Sequence, residues 1–135
     1  MDSIFSNYMY DNLSEVKASL LLCTYNRSYK LSVFLKNLSQ LSSKYSYELI
    51  FIDNNSTDHT RTILEEFVGL STAPACCAME RRKGTGYGRN RAAAVARGEY
   101  LIYIDDDCYP DPSLIDEHIK LLDENLTLGF VGGRV

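Results

Sequence analysis

Glu99-Tyr100-Leu101-Ile102-Tyr103-Ile104 runs without a break into Asp105-Asp106-Asp107. After Glu99, the next five residues are β-branched, aromatic and aliphatic, the composition of a strand. The three aspartates that follow put carboxylates at its end, and Pro110 and Pro112 then break the chain. Upstream, Arg89 to Arg97 is Ala-rich and helix-forming, with Gly98 as its stop. Downstream, Leu114, Ile115, Ile119 and Leu122 recur at helical spacing.

The same alternation extends to both ends of the chain. Ala18 to Cys23 is a continuous apolar run, as in a strand buried on both faces, and Thr24-Tyr25-Asn26-Arg27 closes it. Leu31, Phe34, Leu35, Leu38 and Leu41 then predict a helix with Ser28 as N-cap. A second strand, Glu48 to Ile52, ends in Asp53-Asn54-Asn55-Ser56-Thr57-Asp58. The helix after it carries Thr60, Ile63, Leu64 and Phe67, with Gly69 as its stop. Ala75 to Met79 is a weaker strand, Gly84 to Gly88 a loop, and Phe130-Val131-Gly132-Gly133 the start of a fifth strand. Residues 1–16 lack periodicity and read as an N-terminal arm, flexible or with a short helix. Strand–helix alternation of this kind predicts an α/β fold with right-handed crossovers and a mainly parallel sheet. Ligands of such sheets bind beyond the carboxyl ends of the strands. The three polar clusters after the strands fall on that edge.

Composition sets the bounds. The 135 residues suit one domain, and 45% hydrophobic with 24% charged residues is ordinary for a globular chain. A net charge of −4 gives no global reason to expect nucleic acid as a partner. No signal-like start or membrane-length apolar run is present, so the expected compartment is cytoplasmic. Cys23, Cys76, Cys77 and Cys108 form no C-x-x-C pair and read as buried, reduced thiols.

Three constellations bear on chemistry. In a strand, Asp105 and Asp107 would share one side while Asp106 turns away. Two such carboxylates repel unless a cation lies between them, and a hard divalent ion completed by waters and phosphates suits the place. The alternative is an acidic turn with Asp111 capping the next helix. The stretch Lys83-Gly84-Thr85-Gly86-Tyr87-Gly88-Arg89 would let backbone amides approach a phosphate, with Arg89 adding bidentate contact. It lacks the third glycine of a dinucleotide fingerprint and the Gly-Lys-Ser/Thr of a P-loop, and a plain flexible loop is the other reading. In the cluster after the second strand, Ser56, Thr57 or Asp58 would cap the next helix. Asp53, at the strand end, could accept hydrogen bonds from a base or ribose, and Tyr25 could pack on the base or serve structure alone.

Taken in order, Ser19 to Arg27, Ile52 to Asp58, Gly84 with Gly88-Arg89-Asn90, Ala96 to Tyr100, and Asp105-Asp106-Asp107 resemble the family 2 glycosyltransferases over residues 18–112. The resemblance implies a Rossmann-like GT-A three-layer sandwich with a mainly parallel sheet, truncated here. Residues 17–135 would form the nucleotide-diphospho-sugar-binding (donor) subdomain. It implies Thr24, Tyr25, Asp53, Arg89, Asp105 and Asp106 as nucleotide-sugar-binding residues. Asp107 and Asp105 would hold Mn2+ or Mg2+. The expected activity is metal-dependent, inverting transfer from a nucleotide-diphosphate sugar, UDP-sugar favoured by family habit, to a saccharide, lipid or protein acceptor. Family members continue into an acceptor subdomain bearing the catalytic base, expected beyond Val135; any membrane association would come through such further segments. Three positions depart from the family pattern: Ala92, Arg82 and Cys108. The competing reading is a non-catalytic or degenerate nucleotide-binding module. A nucleotidyltransferase is disfavoured because no Gly-rich basic loop follows the first strand.

Overall fold

The computed structural model describes residues 4–8 and 15–133. Its elements in chain order are β1 (Phe5–Ser6), β2 (Ala18–Thr24), α1 (Ser28–Leu38), β3 (Tyr47–Asp53), α2 (Thr60–Leu70), β4 (Ala75–Met79), α3 (Thr85–Val95), β5 (Tyr100–Ile104) and α4 (Leu114–Glu124). They build one sheet in the order β1-β4-β3-β2-β5, parallel throughout except for β1. The expected α/β architecture is therefore the observed one.

Helices cover both faces of the sheet. Register aligns Leu20 with Leu49 and Ile102, and Leu22 with Phe51 and Ile104. This row packs on Leu31 and Phe34 of α1, Leu64 and Val68 of α2, and Ile115 and Ile119 of α4. Leu21, Ile50, Ile52, Cys76 and Ala78 face the other way, onto Ala92 of α3. Being buried on both faces is what makes β2 and β3 continuous apolar runs in the sequence.

Local structure differs from the sequence expectation in several places. Helix α3 begins at Thr85, so the expected 84–88 loop is its first turn. Gly84 makes the entry with φ +130°, a conformation side chains resist. Gly88 lets the helix lie on β2, since a Cβ there would fall 2.0 Å from Cys23 Sγ. Helix α2 continues through Gly69 to Leu70, because an exposed last turn tolerates the weaker residue. Ser28 is the first residue of α1 and not its cap. Residues 125–133 hold no strand, so the expected start at Phe130 is not observed.

Within residues 1–16, the described part joins the sheet. Phe5 and Ser6 pair antiparallel with Cys77 and Cys76. Asn7 Nδ2 donates to Ser71 O and Ala73 O, each at 3.1 Å, while its Oδ1 accepts from Ala75 N at 2.7 Å. Two residues are too few for a periodic signal, which is why the strand escaped the sequence reading.

At the amino ends of β2 and β3, Glu48 is fully buried. Its Oε1 accepts from Ser19 Oγ at 2.6 Å and Arg97 N at 2.7 Å. Its Oε2 accepts from Tyr8 Oη at 2.9 Å, Arg97 Nε at 3.0 Å and Arg97 Nη2 at 2.8 Å. Gly98 sits against β2, where a Cβ would come within 2.5 Å of Ser19 N. No helix among the described residues is long and apolar enough to cross a membrane.

Candidate functional site

The site lies at the opposite, carboxyl end of the sheet, built from the turns that leave β2, β3 and β5. Two of these turns are stitched together by short polar side chains. Asn26 and Asn55 adopt left-handed backbone, with φ of 49° and 62°, which Asn tolerates better than most residues. Asn26 N donates to Ser56 Oγ, Thr57 N donates to Asn26 Oδ1, and Arg27 N donates to Thr60 Oγ1. Asp58 accepts from Ser28 N and Thr60 N, so one carboxylate caps both α1 and α2. Burial would raise its pKa, but bonds from Thr60 and Ser28 outweigh that and hold it well below the carboxylate range.

Strand β5 stops at Ile104, and the aspartates occupy a turn closed by Cys108 N donating to Asp105 O at 3.1 Å. Strand alternation therefore does not orient them, contrary to the i, i+2 argument. The turn still sorts them. The Asp105 side chain is 60% exposed and Asp107 is exposed, while the Asp106 side chain is only 13% exposed. Asp106 Oδ2 accepts from Thr24 Oγ1 at 2.6 Å and lies 3.4 Å from Arg27 Nε. Arg89 reaches Asp105 Oδ1 from α3 at 3.2 Å.

These groups enclose a cavity of about 280 Å³ lined by Cys23, Thr24, Tyr25, Arg27, Asn54, Thr85 and Asp105–Asp107. Of the residues singled out from sequence, Thr24, Tyr25, Asp105, Asp106 and Asp107 line it. Arg89 joins through Asp105. Asp53 lies beneath, 1% exposed, with Oδ1 accepting from Ser56 N and Oδ2 without a hydrogen-bond partner. A larger cleft of about 600 Å³ lies at the amino end of the strands, beside Glu15, Lys17, Arg97 and Glu99. Two of its charged groups are already paired, Lys17 with Glu99 and Arg97 with Glu48.

Sequence reasoning missed Asn54 and Arg27. Asn54 is buried; its Nδ2 donates to Glu80 O at 2.9 Å and Arg82 O at 2.7 Å, and its Oδ1 accepts from Gly84 N at 3.1 Å. It thereby fixes the approach to α3. An Asn directly after a strand-end Asp is the only sequence cue. Glu80 is held by bonds from Arg82, which keep its carboxyl at about 2, and Arg82 stacks over Tyr87 with 4.5 Å to the ring centroid. Burial pushes the Cys23 thiol beside the cavity up to about 11, away from the range of activated thiols. All four cysteines are free; Cys76 and Cys77 are buried as expected, but Cys108, in the turn after β5, is exposed.

The donor set suits a hard cation. Asp105 and Asp107 offer exposed carboxylate oxygens on one short turn beside the cavity. Among the described residues no three acidic, His or Cys side chains cluster as a complete metal cage. One or two carboxylates with phosphates completing the shell is the usual Mg2+ arrangement, so the residues fit such an ion bound together with a diphosphate.

Residues 19–135 match the model of the family described as "Glycosyl transferase family 2". The chain belongs to that family. It is 35% identical over 106 residues to the uncharacterized glycosyltransferase YfnE of Bacillus subtilis, covering 78% of this chain and 26% of that protein. It superposes on Staphylococcus aureus TarS 1-349 in complex with UDP-GlcNAc with TM-score 0.71 and 25% identity, over 82% of this chain and 32% of that one. The Pyrobaculum calidifontis mannosyltransferase PcManGT, solved with GDP-Man and Mn2+, shares the fold with TM-score 0.69 and 22% identity, over 82% of this chain and 33% of that one. The fold is that of the GT-A glycosyltransferases. The chain spans about a quarter to a third of the length of these relatives.

Proposed function

We propose that this chain is the donor-binding part of a metal-dependent glycosyltransferase and takes a nucleotide-diphosphate sugar, a UDP-sugar by preference. The carrying observation is the carboxyl-edge cavity, where the β2 turn with Thr24 and Tyr25 faces the exposed carboxylates of Asp105 and Asp107. One end of it offers an aromatic face and polar strand ends, the other a place for a cation and its phosphates. A relative of the same fold, TarS, was solved with UDP-GlcNAc, and PcManGT with GDP-Man and Mn2+.

In this reading Tyr25 packs against the base, and Thr24 lies at the ribose side. Asp53, with one buried oxygen unpartnered, supplies an acceptor for a donor N–H of the base; such an unsatisfied group costs about 1–3 kcal/mol until bonded. Arg89 stands beside the diphosphate, and its bond to Asp105, exposed on both sides, can exchange for a phosphate oxygen. Asp107 with Asp105 would hold Mn2+ or Mg2+. Such an ion supplies charge stabilisation to the departing diphosphate. Attack by an acceptor hydroxyl with inversion at the anomeric carbon, the acceptor (saccharide, lipid or protein) and the base that deprotonates it belong to the remainder of the expected enzyme.

The test is calorimetric titration of the chain with UDP, with and without MnCl2. Binding strengthened by Mn2+, with the increment lost in Asp107→Ala, is the expected result. A folded chain that binds none of UDP, GDP and dTDP would overturn the proposal.

A further inference from the structure

Asp106 behaves unlike its neighbours in the acidic triplet. Its side chain is 13% exposed against 60% for Asp105, and its Oδ2 is committed to Thr24 Oγ1 at 2.6 Å and Arg27 Nε at 3.4 Å. Those two partners bracket Tyr25 and Asn26 in the chain. One carboxylate on the β5 turn therefore pins both ends of the β2 turn, the turn that carries the exposed Tyr25 ring into the cavity. The bond is charge-assisted and short, and Thr24 is itself buried, so the contact is shielded from water. Drawing the middle charge onto Arg27 also spares Asp105 and Asp107 a third facing carboxylate.

We propose that Asp106 is a positioning residue: it does not touch the ligand but, through Thr24 and Arg27, holds the Tyr25 turn against the two outer aspartates. The inference rests on the donor-site reading given above. It separates the triplet into two roles. Asp105 and Asp107 face the metal and phosphates, whereas Asp106 shapes the nucleoside end, which is filled with or without a metal.

The experiment is titration of the chain with UDP in EDTA and in MnCl2 for wild type, Asp106→Ala, Thr24→Val, Thr24→Ser, the Asp106→Ala/Thr24→Val double variant, and Asp107→Ala. Loss of the clasp is expected to weaken UDP binding about tenfold in both buffers, leaving the Mn2+-to-EDTA affinity ratio unchanged. Thr24→Ser, which keeps the hydroxyl, restores binding. The double variant is no weaker than Asp106→Ala, since that variant already removes the Thr24 contact. Asp107→Ala does the reverse, lowering the ratio and sparing the EDTA affinity. A purely structural defect would weaken binding in both buffers only by leaving part of the sample unfolded, so equal unfolding midpoints for the variants exclude it. If Asp106→Ala collapses the ratio as Asp107→Ala does, Asp106 is a metal ligand and the inference fails. It fails equally if Asp106→Ala binds as wild type, or if the Asp106 and Thr24 losses add. Should Asp106→Ala not fold, Asp106→Asn, which gives up the charge facing Arg27, takes its place in the same comparison. A folded wild type that binds none of UDP, GDP and dTDP in either buffer refutes the donor-site reading itself, a result distinct from all of these.

Discussion

Replacing Glu48 by Gln tests the reading of the amino end of the sheet. The wild-type carboxylate is fully buried and accepts five hydrogen bonds, three of them from Arg97. Gln is nearly the same size, so cavity formation contributes little. Its amide, however, has one oxygen and one donor group. Turned either way, its NH2 meets donors, either the Arg97 guanidinium with Tyr8 or Ser19 with the Arg97 amide. Breaking a buried ion pair from one side costs about 3–5 kcal/mol. The Arg97 side chain keeps 29% of its exposure, so some hydration offsets the loss and about 3 kcal/mol is expected.

Against a total stability of about 5–15 kcal/mol, that is a large share. Urea unfolding followed by circular dichroism reads it directly. With a slope of about 1–3 kcal/mol per M, the midpoint should fall by about 1–3 M. The pH dependence gives a second reading. Burial raises the Glu48 pKa, but hydrogen bonds from Ser19, Arg97 and Tyr8 outweigh burial, so the folded value lies below the unfolded one. Its contribution is therefore complete above the unfolded carboxylate pKa and fades as pH falls through the folded value. Wild type should lose stability in acid more steeply than Glu48→Gln. A loss under about 1 kcal/mol at neutral pH, with parallel acid profiles, would refute the reasoning.

Gly88→Ala should destabilise the chain by about 1–3 kcal/mol in thermal melts, because the new Cβ overlaps Cys23 Sγ. Adding Cys23→Ala should recover part of that loss, and strictly additive effects would count against the contact. With a thiol-specific colorimetric reagent, Cys108 should react fastest, since burial pushes Cys76 up to about 11 and Cys77 up to about 12. Two or more fast thiols besides Cys108 would contradict the packing. Strand β5 is a sheet edge carrying exposed Leu101 and Tyr103, so the 135-residue chain should self-associate with concentration in sedimentation runs. Leu101→Lys should reduce that association, and a wild-type monomer melting independently of concentration would argue against it.

The main architecture was legible because strands buried on both faces leave continuous apolar runs, and because each ends in a polar cluster that must lie on one edge. What escaped depended on partners far apart in sequence. Glu48 reads as an ordinary residue at a strand start, while the Arg97 that makes it tolerable in the interior stands 49 residues away. The glycines before Arg89 suggested a loop because propensity argues against them in a helix, yet Gly88 is there so that α3 can touch Cys23. Asn54 reads as turn chemistry and is instead a three-way clamp on the loop before α3. The aspartate triplet was located correctly by its place after β5, but alternation misdescribed it, because a turn and not a strand sets its side-chain directions.

The two ends of the sheet use one kind of interaction for opposite purposes. Glu48 with Arg97 and Asp105 with Arg89 are both carboxylate–guanidinium pairs, at 2.8 Å and 3.2 Å. In the first, Tyr8, whose ring lies 4.2 Å from the Arg97 guanidinium, and Ser19 help to enclose a fully buried Glu48 carboxylate, which is closed to other partners. Its worth is fixed into the fold. The second is about half exposed on the arginine side and more so on the aspartate, so water screens it and little stability depends on it. Under the proposed function a weak pair at that position is an advantage: a phosphate or a cation would displace either partner without dismantling the sheet beneath. Asp106 lies between these extremes, shielded enough to hold Thr24 and Arg27 yet adjacent to the two carboxylates left open. The gradient of exposure along the triplet, and not the count of aspartates, is what separates scaffold from site.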